Sequence, residues 1–135
     1  MKCVILIDEH LPRGLIANCA SVLSLTLGKK IDSLIGKDLL DVKNRLHAGI
    51  TTMPIPILKS NLKQLRELRN VLYEDKYKKC LVVDFTNTAQ TSKTYVDYKD
   101  KLISTKLDKL DYLGIAVYGS KKIINSLVGS IGLLR

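Results

Sequence analysis

Three short aliphatic runs constrain the fold more than any other feature of this chain. Lys2 to Ile7, Cys80 to Asp84 and Tyr112 to Tyr118 are rich in β-branched residues, the pattern of strands buried on both faces. Segments of helical period lie between them. Gly14 to Leu27 predicts a helix closed by Gly28 as its C-cap. Ser60 predicts the N-cap of another, with Leu62, Leu65, Leu68, Val71 and Leu72 on one face and Lys63, Arg66 and Arg69 on a second. Thr86 to Ser92 reads as a polar loop leading to a helix that carries Tyr95, Tyr98, Leu102 and Ile103, and Thr105 with Asp108 suggests a short capping-box turn. Ser120 should cap a last helix through Leu127, before Ile131-Gly132-Leu133-Leu134. Pro54-Ile55-Pro56-Ile57-Leu58 reads as a strand whose prolines cannot donate to a ladder, which places it at a sheet edge or a strand entry. Asp41 to His47 predicts a small hairpin turning at Lys43-Asn44. This alternation predicts an open, largely parallel sheet with helices on both faces, and ligands bound beyond the carboxyl ends of its strands.

A chain of 135 residues, 46% of them hydrophobic, forms one domain, residues 1–135. Such a domain buries roughly two-thirds of its unfolded surface without help from a metal or disulfide. The odd, widely spaced Cys3, Cys19 and Cys80 read as reduced thiols of a cytoplasmic protein. Asp8-Glu9-His10 ends the first apolar run too soon for a signal sequence, and no run approaches a membrane span. The net charge of +9 comes from 22 basic residues scattered from Lys2 to Arg135. It admits RNA or an anionic small molecule as partner, but the lysines are diffuse and aromatics for stacking are few. No charge falls between Gly14 and Gly28. A helix without a charged face is covered on more than one side, by another helix, a subunit or a ligand.

Candidate chemistry gathers where strands end. Asp84 could act as a general base or orient a positive group, and Thr86, Asn87 and Thr88 could bond an amide or phosphate. Alternatively Asp84 caps the next turn. Asp8, Glu9 and His10 are acid–base residue types in a row, but no HxxxH or CxxC spacing supports a metal. Arg13 at a helix start opposes the helix dipole, a misfit that an anion held by the guanidinium and free amides would resolve. Asn18 must satisfy its amide within an apolar helix. Gly119-Ser120-Lys121-Lys122 is a weaker anion candidate without P-loop spacing. No cofactor is expected. Two distant histidines make no Ser-His-Asp set, and Cys19 and Cys80 lack an adjacent base.

Five segments, in order, carry a family resemblance: DEHLPRGLIANCASVLSLTLGK at 8–29, HAGIT at 47–51, PIPILK at 54–59, DFTNTAQ at 84–90 and LGIAVYGSKKIINSLVGSIGLLR at 113–135. On these the chain resembles the family labelled domain of unknown function two thousand. That resemblance implies a three-layer α/β/α sandwich with a mixed four-stranded sheet, similar to type II peptidyl-tRNA hydrolases, and no known reaction. It implies a last strand antiparallel to the others, which would put Gly119-Ser120 at the end of the sheet away from Asp84. Asp84 falls where the hydrolases carry an Asp after a strand. Their helix-start lysine has no counterpart here, Ser21 or Val22 stands where they have His, Val128 replaces a Thr, and residues 92–108 form an extra helix-sized stretch. Residue reading and resemblance together lead to the expectation of a hydrolase-like or RNA-related protein, with catalytic candidates Asp84, Thr88 and His10 and ligand-binding candidates Arg13, Asn18 and Thr86. The resemblance does not imply efficient peptidyl-tRNA hydrolysis, and a non-catalytic module binding a small anion in the same cleft is the alternative. A homodimer is expected, as is common among the hydrolases.

Overall fold

The computed structural model describes residues 1–135. Four strands form the main sheet in the order β4–β1–β6–β5: β1 is Lys2–Asp8, β4 Ile57–Ser60, β5 Leu81–Thr86 and β6 Tyr112–Gly119. β1 runs parallel to β4, and β6 runs antiparallel to both β1 and β5. The sheet is therefore mixed, and the parallel sheet expected from simple alternation is corrected by its last strand. A parallel β6 would need a crossover from β5. Instead α3 (Asn87–Gln90), α4 (Tyr95–Ser104) and a single 3-10 turn at Leu107–Lys109 bring the chain back at the carboxyl end of β5, so β6 descends between β5 and β1.

Alternation along β1 sorts two cores. Cys3, Ile5 and Ile7 pack under α1 (Arg13–Lys30) with Cys19, Leu23 and Leu27, while Val4 and Leu6 pack under α2 (Leu62–Val71) and α5 (Lys121–Val128) with Leu65, Leu72, Ile124 and Val128. Helices thus cover both faces. Gly114 on β6 lets α1 come close, since a Cβ there would lie 2.4 Å from the Cys19 sulfur.

Several local expectations change. α1 runs through Gly28 to Lys30, because Lys29 and Lys30 suit a helix C-terminus and Ile35 packs against Gly28. Ser60 ends β4, paired with Asp8, and Asn61 is the N-cap, its side chain accepting the Gln64 N–H at 2.9 Å. Thr86 to Ser92 holds the short α3, capped by Thr86, rather than a loop. Thr105 donates its hydroxyl to the Lys101 carbonyl and so closes α4 instead of starting a turn. Ser120 does cap α5 through the Ile123 N–H at 3.3 Å.

The hairpin is present. β2 (Leu39–Leu40) pairs with β3 (Leu46–His47), and Asn44 takes the left-handed conformation at φ 58° that its type tolerates. Its turn is organised by the Asp41 carboxylate, which accepts the Lys43 and Arg45 backbone N–H groups and the Arg45 side chain and lies 3.0 Å from His47 Nε2. β4 is an edge strand entered through Pro54 and Pro56. Its outer side is closed by the C-terminal tail, where the Lys59 N–H donates to Gly132 and the Leu134 N–H to Ile57. No helix is long and apolar enough to cross a membrane.

Candidate functional site

β1, β4 and β5 end on the same side of the sheet, at Asp8, Ser60 and Thr86, all buried. At the first of these ends the chain makes a compact corner. Asp8 Oδ1 accepts the His10 backbone N–H at 3.1 Å and lies 3.1 Å from the ring Nδ1. The Asp8 side chain is 7% exposed and the His10 ring 74%, so a buried carboxylate orients a solvent-facing imidazole.

Two residues further on, α1 begins after Pro12 with no side-chain cap and no acidic residue in its first turn. Beside it lies a groove of about 700 Å³ between the start of α1 and the C-terminal tail. Ile16, Ala17, Ala20, Ile57 and Leu134 make it apolar, and Glu9, Arg13 and Arg135 make its polar lining. A smaller adjoining cleft shares Glu9 and Arg135 and adds Lys59. None of Arg13, Lys59 and Arg135 has a carboxylate partner within the chain.

Asp84 lies elsewhere. Val83 and Phe85 face α1, so Asp84 faces α2, where it accepts Arg69 Nε at 2.8 Å. Both side chains are mostly buried, at 22% and 13% exposure. The Arg69 guanidinium also stacks 3.9 Å from the Tyr73 ring centre. Burial, with lesser contributions from Tyr73 and the Asp84 carboxylate, pushes the Tyr112 hydroxyl up, and burial then Asp84 does the same for Tyr98. Arg66 pairs with Asp111 at 3.0 Å and donates to the Leu107 carbonyl at 2.7 Å. The two arginines that read as a solvated helix face therefore tie α2 to β5 and to the β6 entry.

Thr86 and Thr88 share a hydrogen bond between hydroxyls, 2.6 Å apart and buried, at the start of α3. Asn18 stands in solvent on the outer side of α1. The structure thus gathers His10 and Arg13 at the β1–α1 corner and Asp84, Thr86 and Thr88 near the end of β5, with Asn18 apart from both groups. Ser120 and Lys121 lie at the opposite end of the sheet, where Gly119 pairs with Lys2. Sequence reading missed Lys59, Leu134 and Arg135, since nothing local signals that the tail folds back along β4. A further hollow of about 400 Å³ lies between α1 and α4, lined by Val22, Thr26, Asp84, Phe85, Tyr95 and Tyr98, so Asp84 also borders a cavity. No group of three His, Cys, Asp or Glu side chains is arranged to hold a metal.

The family described as "Protein of unknown function (DUF2000)" matches residues 1–135, and the chain belongs to it. A solved structure of the protein of unknown function Atu0240 from Agrobacterium tumefaciens strain C58 superposes with a TM-score of 0.86 at 14% identity, covering 98% of this chain and 96% of that one. At that identity the likeness is one of fold. No curated protein matches the sequence.

Proposed function

We propose that this member of the DUF2000 family binds a small amphiphilic anion in the groove between α1 and the C-terminal tail. One observation carries the reading. Three of the chain's five arginines, Arg45, Arg66 and Arg69, are paired with aspartates. The two that are not, Arg13 and Arg135, line the same groove. Guanidinium groups stay protonated and favour carboxylate or phosphate partners. The apolar lining suits an alkyl or acyl body, and the volume lies within the range of small-molecule sites. Glu9 adds an acceptor beside the cations, which fits a ligand that also carries an N–H. An N-acylated amino acid has all three features.

Calorimetric titration with N-acyl amino acids of increasing chain length tests this. Affinity should rise about four-fold per methylene, the value of about 0.8 kcal/mol per buried CH₂, until the groove is full. Arg13→Gln and Arg135→Gln should each weaken binding by about ten-fold or more. Absence of binding at millimolar ligand, or binding indifferent to both substitutions, would refute the reading.

A second reading rests on the Asp8–His10 pair. With Nδ1–H given to a buried carboxylate, Nε2 is left free as a base toward water, the orientation that serves hydrolysis in catalytic triads. This supports a hydrolase akin in fold to type II peptidyl-tRNA hydrolases, with ester or amide cleaved by an attacking water. Efficient peptidyl-tRNA hydrolysis is not expected, because Arg13 cannot act as a base and no lysine stands in its place. Release of peptide from peptidyl-tRNA should run about two to four orders of magnitude below a true hydrolase. Any residual rate should vanish in His10→Ala. A comparable rate would refute the expected inefficiency, and a rate lost in Asp84→Asn and kept in His10→Ala would refute this second reading.

A further inference from the structure

Residues 34–52 leave the domain as one continuous antiparallel arm. Ile35 bridges Thr51, the Gly36 N–H donates to Ile50, β2 pairs with β3, and the turn at 41–45 closes the tip. Gly49 permits the close crossing at its waist, since a Cβ there would collide with the Gly36 carbonyl. At a strand's rise per residue the arm reaches roughly 25 Å. Beside Lys37, Lys43, Arg45 and His47 it carries six large aliphatics in solvent, spread over both faces: Ile35, Leu39, Leu40, Val42, Leu46 and Ile50, with Val42 97% and Ile50 80% exposed. A two-stranded ribbon is at best marginally stable alone in water, and six exposed aliphatics on one ribbon are far more than solubility favours.

The same chain carries a matching seat. The outer side of α1 presents Gly14, Asn18, Ser21, Val22 and Leu25 without a charge, and Leu25 is 79% exposed. Gly28, at the end of that helix, packs against Ile35 at the arm's root. α1 has 18 residues and is therefore about 27 Å long, matching the arm. We propose that two copies of this chain form a two-fold dimer in which each arm lies along the outer face of the other copy's α1.

Area supports a second copy as the occupant. From their exposures, the arm aliphatics on both faces with Val22 and Leu25 present at most roughly 500 Å² of apolar side-chain surface per protomer, taking about 100 Å² for each at full exposure. A stable homodimer buries about 800 Å² per partner, of which about 65% is apolar. Reciprocal docking seats one face of each arm on the other copy's α1, as a two-fold interface requires. The inference is independent of the groove reading, because Leu25 and the arm lie outside the groove.

Sedimentation of the full chain across a wide concentration range tests it. The protein should be dimeric. Val42→Lys and Leu25→Glu should each weaken the dimer by at least about 30-fold, the loss of one well-buried anchor, with unchanged circular dichroism because both sites are exposed. Ile50→Lys should behave like Val42→Lys. Mixing the Val42→Lys and Leu25→Glu proteins should restore a dimer, since in the mixed pair both substitutions, of opposite charge, fall on one seat while the other stays native. A monomeric wild type would overturn the proposal. So would a dimer that tolerates Val42→Lys, one that tolerates Leu25→Glu, or a mixture that stays monomeric.

Discussion

Asp84→Asn separates a structural carboxylate from a catalytic one. The substitution keeps an oxygen for Arg69 Nε and removes only the charge from a 2.8 Å bond between mostly buried side chains. Hydrogen bonds to charged groups contribute about 1.5–3 kcal/mol, and breaking a fully buried pair costs about 3–5 kcal/mol. Partial exposure of both groups and the retained stacking of Arg69 on Tyr73 place the expected loss near about 2 kcal/mol. For a domain of this size that lowers Tm by about 6–10 °C. Thermal and urea unfolding of Asp84→Asn, Arg69→Met and the double variant should give a coupling of about 1–2 kcal/mol. Binding in the α1–tail groove should be unchanged in Asp84→Asn once the protein is folded. A Tm within about 1 °C of wild type, together with lost binding or hydrolysis, would refute this assignment and return the site to the end of β5.

The Cys3 and Cys19 thiols, pushed up by burial to about 11 and about 12, should resist a thiol reagent at neutral pH. Native labelling should stop at one sulfur, the half-buried Cys80, and reach all three only in denaturant. His47 and the Arg45 and Lys43 amides hold the Asp41 carboxyl down at about 2. Because its folded value lies below the ordinary carboxylate value of about 3.9, its stabilisation is complete above that value and lost as pH falls through about 2. NMR titration of the Asp41 carboxyl should show that midpoint, and Asp41→Asn should speed exchange of the Lys43 and Arg45 amide protons at neutral pH. Gly114→Ala should destabilise by about 1–3 kcal/mol in urea unfolding through overpacking on Cys19, and the cost should shrink when combined with Cys19→Ala.

The strands and helices were legible because their signals are local. The aliphatic runs of β1, β5 and β6 and the stripe of Leu65, Leu68 and Leu72 follow from periodicity alone. Topology was not local: only the resemblance implied the antiparallel β6 that the pairing of Ile5 with Ala116 demonstrates. Boundaries failed where two local signals competed. At Gly28 the favourable Lys29 and Lys30 outweighed a glycine stop, and at Ser60 pairing with Asp8 outweighed a capping hydroxyl. The candidate site was legible at His10 and Arg13, which a strand end and an uncapped helix start single out. It was illegible at Leu134 and Arg135, which reach the groove only because backbone hydrogen bonds fasten the tail to β4, and at Lys59 of β4, which borders the adjoining cleft. The role of Arg69 beside Asp84 was hidden for the same reason, since a helix-face arginine looks identical whether solvated or turned onto a neighbouring strand.

The placement of Arg135 carries more weight than its position at the end of the chain suggests. A tail could close the β4 edge with its backbone alone, and the Leu134 N–H and Gly132 carbonyl do so regardless of side chain. Those bonds nonetheless fix Leu134 and Arg135 against the start of α1, where Arg13 already stands beside an uncapped helix terminus. Two guanidiniums and the positive end of a helix then share one groove, with Glu9 as the only side-chain carboxylate in its lining. Elsewhere the fold spends its arginines on aspartates, at Asp41, Asp84 and Asp111. An arrangement that leaves the two remaining arginines unpaired on one groove leaves both free to meet an anion that enters. The apolar lining between Ile16 and Leu134 then selects, among anions, those with a hydrocarbon portion to bury.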